Sequence, residues 1–147
     1  MSAGVGASSG LDAATLATVP VSTVPVYRRD GYNQNAPLQL TQSDELGVVR
    51  MTAEAVGRFA LTLSSPVKDD SGGYEGYLVA GGKLQALPAG SFLDKKTGDF
   101  YWQPGVGFTG TYQLVFIRTE AGGRVRIPVE VTIGQRPAAP KNVRIVK

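Results

Sequence analysis

Cysteine and histidine are both missing from this chain. Their absence removes disulfide staples, thiol nucleophiles, cysteine or histidine metal sites and any serine-histidine-aspartate relay. Most common catalytic chemistries are excluded by inventory alone, and the expected reading is a chain that is not an enzyme. Long apolar runs are missing too. Met1 to Gly10 has no basic region followed by a continuous apolar stretch, so it does not read as a secretion signal. The uncharged stretch from Ala13 to Tyr27 is shorter than a bilayer span and is interrupted by Pro20 and Pro25, so no membrane insertion is expected. Clustered positive charge is the third absence. The net charge of +3 comes from arginines and lysines spread singly, with Arg28-Arg29 and Lys95-Lys96 the only adjacent pairs. A nucleic-acid footprint needs clustering, so no nucleic-acid partner is expected.

What is abundant points to strands. Nineteen glycines and nine prolines, with many valines, threonines and tyrosines, favour short pleated strands joined by tight turns. A length of 147 residues with 42% hydrophobic content suits one domain with tails. Residues 1–18 are nearly all Ala, Gly, Ser, Thr and Val, the composition of a flexible N-terminal linker. Residues 19–134 are expected to form a single β-sandwich domain, since two half-size cores would each be marginal. Residues 135–147 read as a proline-rich spacer and the start of a following module, with one more short strand at Asn142 to Val146. The chain is therefore expected to be a cut from a tandem array.

From about Val19 the apolar residues alternate with period two, the signal of half-buried strands. The clearest case is Arg124 to Ile133. Val125, Ile127, Val129, Val131 and Ile133 share one face, and Arg124, Arg126, Pro128, Glu130 and Thr132 share the other. Pro128 cannot donate to a ladder, so this strand is expected at an edge or to carry a bulge. Its expected partner is Thr111 to Arg118, joined through Thr119 to Gly123. Val49 to Ala53 and Phe59 to Leu63 give two more one-sided strands. Further candidates are Pro25 to Arg29, Pro37 to Thr41, Tyr77 to Ala80, Lys83 to Leu87 and Phe100 to Gln103. The total of about eight to ten strands suits an all-β, two-sheet sandwich. Helical periodicity is confined to a soft candidate at Thr52 to Val56.

The most informative stretch runs from Leu87 to Tyr112. It contains Leu87-Pro88-Ala89-Gly90, then Asp94-Lys95-Lys96-Thr97-Gly98, then Trp102-Gln103-Pro104, then Gly110-Thr111-Tyr112 leading into a long strand. Pro88 can pre-set a turn that Gly90 completes with positive φ. Asp94 can accept backbone N–H bonds in an Asx-type turn closed by Gly98, and Trp102 brings a large apolar side chain to the sandwich centre. Over residues 75–134 this pattern resembles the immunoglobulin-like and dystroglycan-type cadherin-like modules of bacterial secreted and surface proteins. The resemblance implies an immunoglobulin-like or cadherin-like sandwich on the secreted or cell-surface side, acting as a structural spacer or an adhesion and protein-interaction domain. The alternative is an accessory carbohydrate-binding domain of a secreted enzyme. Implied partners are neighbouring domains of the same chain, and protein or glycan.

Cadherin-like modules often bind calcium between domains, and Asn33-Gln34-Asn35-Ala36-Pro37 is similar to a cadherin linker. Calcium takes about six to eight oxygen ligands, yet glutamine stands where the family has a charged ligand and no Asp-x-Asp occurs. No metal or cofactor is therefore expected, and Asp69, Asp70 and Asp99 are the weak calcium candidates. Among the aromatics that could stack on a sugar, Tyr27, Tyr32, Tyr74, Tyr77, Tyr101 and Trp102, the expected exposed pair is Tyr74 and Tyr77, flanking Glu75-Gly76 in a glycine-rich loop. Pro25 and Pro128 read as devices against pairing of open edges.

Overall fold

The computed structural model describes residues 13–31, 35, 37–63, 73–120 and 122–134. The proposed linker up to residue 12, the tail from residue 135 and the strand expected at Asn142 to Val146 lie outside the described residues. One helical turn, α1 (Ala13–Leu16), precedes ten strands: β1 (Tyr27–Asp30), β2 (Gln39–Leu40), β3 (Val49–Glu54), β4 (Phe59–Thr62), β5 (Tyr74–Ala80), β6 (Lys83–Gln85), β7 (Ser91–Asp94), β8 (Asp99–Trp102), β9 (Gly110–Glu120) and β10 (Gly123–Gly134).

The strands form two five-stranded sheets, ordered β2-β1-β4-β8-β7 and β3-β10-β9-β5-β6. In chain order, β1, β4, β8 and β7 take the places of strands A, B, E and D of an immunoglobulin sandwich, and β5, β9 and β10 take those of C, F and G. The fold is an all-β, immunoglobulin-like two-sheet sandwich. The upstream strands belong to it, since β1, β2 and β4 enter one sheet and β3 the other.

Period-two alternation builds the core as expected. Leu114 and Phe116 of β9 and Ile127, Val129, Val131 and Ile133 of β10 turn inward and are buried. They face Phe59 and Leu61 of β4, Leu93 of β7, and Phe100 and Trp102 of β8. Large side chains buried in this way stabilise by roughly 1.5–3 kcal/mol each. Aromatic rings run through the layer: Phe116 meets Phe100 at 5.0 Å, Phe100 meets Phe59 at 6.4 Å, and Phe59 meets Trp102 at 6.0 Å.

The hairpin of β9 and β10 pairs continuously from Gly123↔Glu120 to Ile133↔Gly110. Its placement corrects one expectation: β10 is not an edge strand, because β3 lies parallel on its other side from Val129↔Val49 to Gly134↔Glu54. Pro128 sits one residue before that pairing begins. Upstream, the Arg126 N–H donates to the Pro20 carbonyl at 2.8 Å. N–H groups alternate in direction along a strand, so the Pro128 nitrogen faces the same side as that of Arg126, into the break between two neighbours. A residue without an N–H costs little there.

Three other expectations change. The lead-in is not free chain throughout residues 1–18: α1 is ordered and Leu16 is buried against Val115 and Ile117. The soft helical candidate at Thr52 to Val56 is the end of β3 and the turn after it, because β3 pairs along its length with β10. The short strand β7 was not anticipated from the sequence; it pairs with β8 around the Asp94 turn.

That turn after β3 holds Val56 at φ 57°, a left-handed value that a β-branched residue rarely adopts. Its N–H donates to the Pro104 carbonyl at 2.7 Å and its carbonyl accepts from Gln103 Nε2 at 3.1 Å, which hold it there. Strain of this kind costs of order 1–3 kcal/mol. Val56→Asn is expected to leave thermal stability unchanged or raise it by up to about 1 kcal/mol, since asparagine tolerates this conformation. A fall in melting temperature would argue against strain.

Candidate interaction surface

The motif that marked the sequence is an architectural corner. Gly90 takes φ 84°, and Ser91 donates to the Pro88 carbonyl through its N–H at 3.1 Å and its hydroxyl at 2.6 Å. Leu87 packs against the core, and Pro88 and Pro104 are buried. Asp94 Oδ1 accepts from the N–H groups of Lys96 at 3.0 Å and Thr97 at 3.2 Å, and the Gly98 N–H closes the turn on the Asp94 carbonyl at 2.9 Å. Trp102 is fully buried; its Nε1–H donates to the Ala89 carbonyl at 3.2 Å, and Phe108 and Tyr112 meet it edge-on at 6.0 and 5.5 Å. Gly110 opens β9, two residues before Tyr112. The indole is filling for the sandwich.

Tyr74 and Tyr77 are not the exposed pair. Tyr74 is only 2% exposed, because its position on β5 turns inward opposite Arg118. Tyr77 points outward yet is half-buried against the cluster around Leu16, with its hydroxyl donating to Glu75 at 2.6 Å. The apparent glycine-rich loop is the start of a strand. Gly98 shows why Tyr74 is fixed: at φ 81°, a Cβ there would come within 2.6 Å of the tyrosine Cζ. Gly98→Ala is expected to cost about 2–4 kcal/mol, combining strain and overpacking. Gly81, at φ 61° with nothing within 4 Å of its virtual Cβ, is the control. If both alanine variants shift the urea midpoint equally, the contact with Tyr74 contributes nothing.

Of the calcium candidates only Asp99 falls among the described residues. Asp69 and Asp70 lie outside the described residues, and Asp99 Oδ2 accepts from the Thr97 hydroxyl at 3.0 Å. Among the described residues no group of three or more acidic side chains comes together.

Three half-buried carboxylates are held below their ordinary values. Asp44 is lowered first by the Val48 N–H, then by Arg50 and the Leu46 N–H; Asp94 is lowered by the N–H groups of Lys96 and Thr97; Glu130 is lowered by Gln113 and Arg50. A depressed folded-state value means that stability is complete above the ordinary values of 3.8 and 4.5 and declines as pH falls through and below them. Acid titration at fixed urea is therefore expected to show loss below that range, and Asp94→Asn to shallow its slope. Stability flat between pH 5 and about pH 2 would remove this account.

The outer face of the first sheet is where the surface departs from a solvated one. Residues opposite one another share a face. One row is Leu40, Tyr27, Thr62, Asp99 and Asp94, and the next is Arg29, Ala60, Tyr101 and Phe92. Phe92, on the edge strand β7, is 61% exposed, and Leu40, on the opposite edge strand β2, is 58% exposed with Tyr27 exposed beside it. The rings of Phe92 and Tyr101 lie 6.3 Å apart at 21°. Ala60 is buried although it points outward, so its larger neighbours close over it. Sequence reasoning missed Phe92 because the strand β7 was not legible, and Leu40 because the strands Pro25 to Arg29 and Pro37 to Thr41 carry no sign of which residues they set opposite one another.

The site and fold together define an immunoglobulin-like β-sandwich whose first sheet exposes large apolar side chains at both edges of its outer face. Comparison with protein families gives no match, and comparison with curated proteins gives none. Solved structures it resembles include a complex of titin with an obscurin-like 1 immunoglobulin domain, 17% identical with a TM-score of 0.34, covering 60% of this chain and 90% of that one. A mutant form of the same complex is also 17% identical, with a TM-score of 0.33, covering 78% and 97%. At that level of superposition the likeness carries no functional argument. The fold assignment rests on the strand order itself.

Proposed function

We propose that the chain is a non-catalytic interaction module of a larger extracytoplasmic protein, a rigid sandwich that spaces its neighbours and contacts a protein partner through the outer face of its first sheet. The observation that carries this reading is the exposure of Phe92 and Leu40 on the face they share with Tyr27 and Tyr101. Leu40 beside Tyr27 at one edge and Phe92 stacked on Tyr101 at the other give a partner two apolar anchor points on one face. The spacer and extracytoplasmic parts are supported by the resemblance of residues 75–134 to modules of secreted and surface proteins. Among the described residues no helix is long and apolar enough to cross a membrane. The non-catalytic part is supported by the missing histidine and cysteine and by resolved carboxylate shifts that all favour the ionised form.

The test is a photo-crosslinking amino acid in place of Phe92 in the parent protein, expressed where it is naturally made, with a second probe at Lys83 on the opposite sheet. A protein adduct at position 92 and none at 83 is the expected result; equal labelling, or none, would remove the reading. The near-parallel rings of Phe92 and Tyr101 also favour a glycan ligand as the second reading. A glycan array in which binding disappears with Phe92→Ser would select it over the first.

A further inference from the structure

The outer face of the second sheet is apolar too, but it is covered. Tyr77, Val115 and Pro128 stand opposite one another across β5, β9 and β10, and Glu75, Ile117 and Arg126 form the adjacent row. Val115 and Ile117 point away from the sandwich and are nevertheless buried, because Leu16 of α1 lies on them with Val19, Tyr77, Val79 and Leu84 around it. A cleft of about 210 Å³ continues from Leu16 along Val79, Val115, Arg126 and Pro128.

Beyond the helical turn the chain is held by two arginines and a short stretch of backbone pairing. Arg126 Nε donates to the Val19 carbonyl at 2.8 Å, the Arg126 N–H to the Pro20 carbonyl at 2.8 Å, and the Ser22 N–H to the Arg126 carbonyl at 2.8 Å. Arg118 Nη2 donates to the Ser22 hydroxyl at 3.1 Å. The seat thus reads one leucine, one hydroxyl and a run of main-chain groups. Its occupant takes its order from the seat and not from itself. A single helical turn is far below the length at which a helix holds itself, and Thr23 to Pro25 link it to β1 with two of the three residues exposed.

We propose that this face is an exchange seat: the strap Ala13 to Ser22 of one chain leaves its own sheet and fills the same seat on a second copy. The closed chain already shows that the seat fits this occupant. Every contact made in cis is available in trans, so the two forms differ mainly in the path of Thr23 to Pro25 and in the cost of association, as in other reciprocal exchanges. Exchange is therefore concentration-dependent. The second sheet, not the first, carries this contact, so it stands apart from the function proposed above.

The experiment uses full-length variants. Leu16→Asp disables the strap and leaves the seat; Val115→Asp disables the seat and leaves the strap. Each alone is expected to sediment as a monomer, and an equimolar mixture as a 1:1 dimer. A labelled peptide of residues 11–24 should bind the Leu16→Asp chain saturably. It should bind the wild-type chain about tenfold more weakly or worse, because the resident strap competes at its effective concentration. The same peptide carrying Leu16→Asp should not bind. The near-UV signal of buried Trp102 reports whether each chain is folded. A folded Leu16→Asp chain that takes up neither the peptide nor a second chain overturns the proposal. So does a Leu16→Asp chain that cannot fold, since the strap would then be obligatory core.

Discussion

Trp102→Ala is expected to lower unfolding free energy by about 3–5 kcal/mol, the range for emptying a large aromatic site. The indole is fully buried, tilted against Phe59 at 6.0 Å and enclosed edge-on by Phe108 and Tyr112. These neighbours come from β4, from the loop before β9 and from β9 itself, on both sheets, so no single movement closes the cavity. The Ala89 carbonyl also loses its donor. Trp102→Phe should restore most of the loss, since it keeps the packing and forfeits mainly the hydrogen bond. Domains of this size hold only about 5–15 kcal/mol in total, so the alanine variant should be visibly depopulated at moderate urea. A urea titration giving a loss under about 2 kcal/mol would show that the indole is peripheral.

The second large effect centres on Arg118, 1% exposed at the end of β9. It faces inward, in register with Tyr74, and its guanidinium joins parts of the molecule that are distant in sequence. Nη1 donates to the Leu63 carbonyl at 3.2 Å at the end of the first sheet, Nη2 to Ser22 Oγ at 3.1 Å in the strap, and Nε to Glu120 at 2.8 Å. Removing one member of a buried ion pair costs about 3–5 kcal/mol, while replacement by an apolar residue of similar volume is often close to neutral. Arg118→Ala is therefore expected near the upper range. Arg118→Met should recover more than half of that, because the aliphatic stem is a large part of what the arginine packs. Glu120 keeps 30% of its side chain exposed, so the cycle with Glu120→Ala should show positive coupling that 0.5 M salt reduces in part, as screening acts through the water that reaches the carboxylate. If Arg118→Ala falls within about 1 kcal/mol of wild type, the guanidinium is solvated and does not tie the sheets.

The parts of this molecule legible in the sequence are those in which the signal is local. The β9–β10 pair was visible because five apolar residues alternate from Val125 to Ile133 and a glycine-bearing turn connects them to Tyr112, Leu114 and Phe116. The Asp94 to Gly98 corner was visible because a side chain that caps its own turn and a glycine that closes it lie within five positions. Pairings between distant segments left no such mark. Nothing in Val49 to Glu54 announces that it runs parallel to β10, and without that partner Pro128 read as an edge device. Leu16 is a lone leucine among alanines and threonines, and its role depends on Val115 and Ile117, which an alternation rule assigns to the solvent side. Tyr74 and Tyr77 were misplaced for a related reason: the glycines around them read as a loop, whereas Gly76 lies within β5, where a Cβ would meet the ring of Phe116 at 2.9 Å. The shared face of Leu40, Tyr27 and Phe92 likewise exists only once β2 and β1 are joined through β4 and β8 to β7 in one sheet.

The parallel union of β3 with β10 has a mechanical meaning. A tether drawn taut between Val49 and Gly134 pulls the start of one strand against the finish of its neighbour, so the six matched positions are loaded in shear and must give way together. Had the two run in opposite directions, the same tension would have opened them one rung at a time, like a zip.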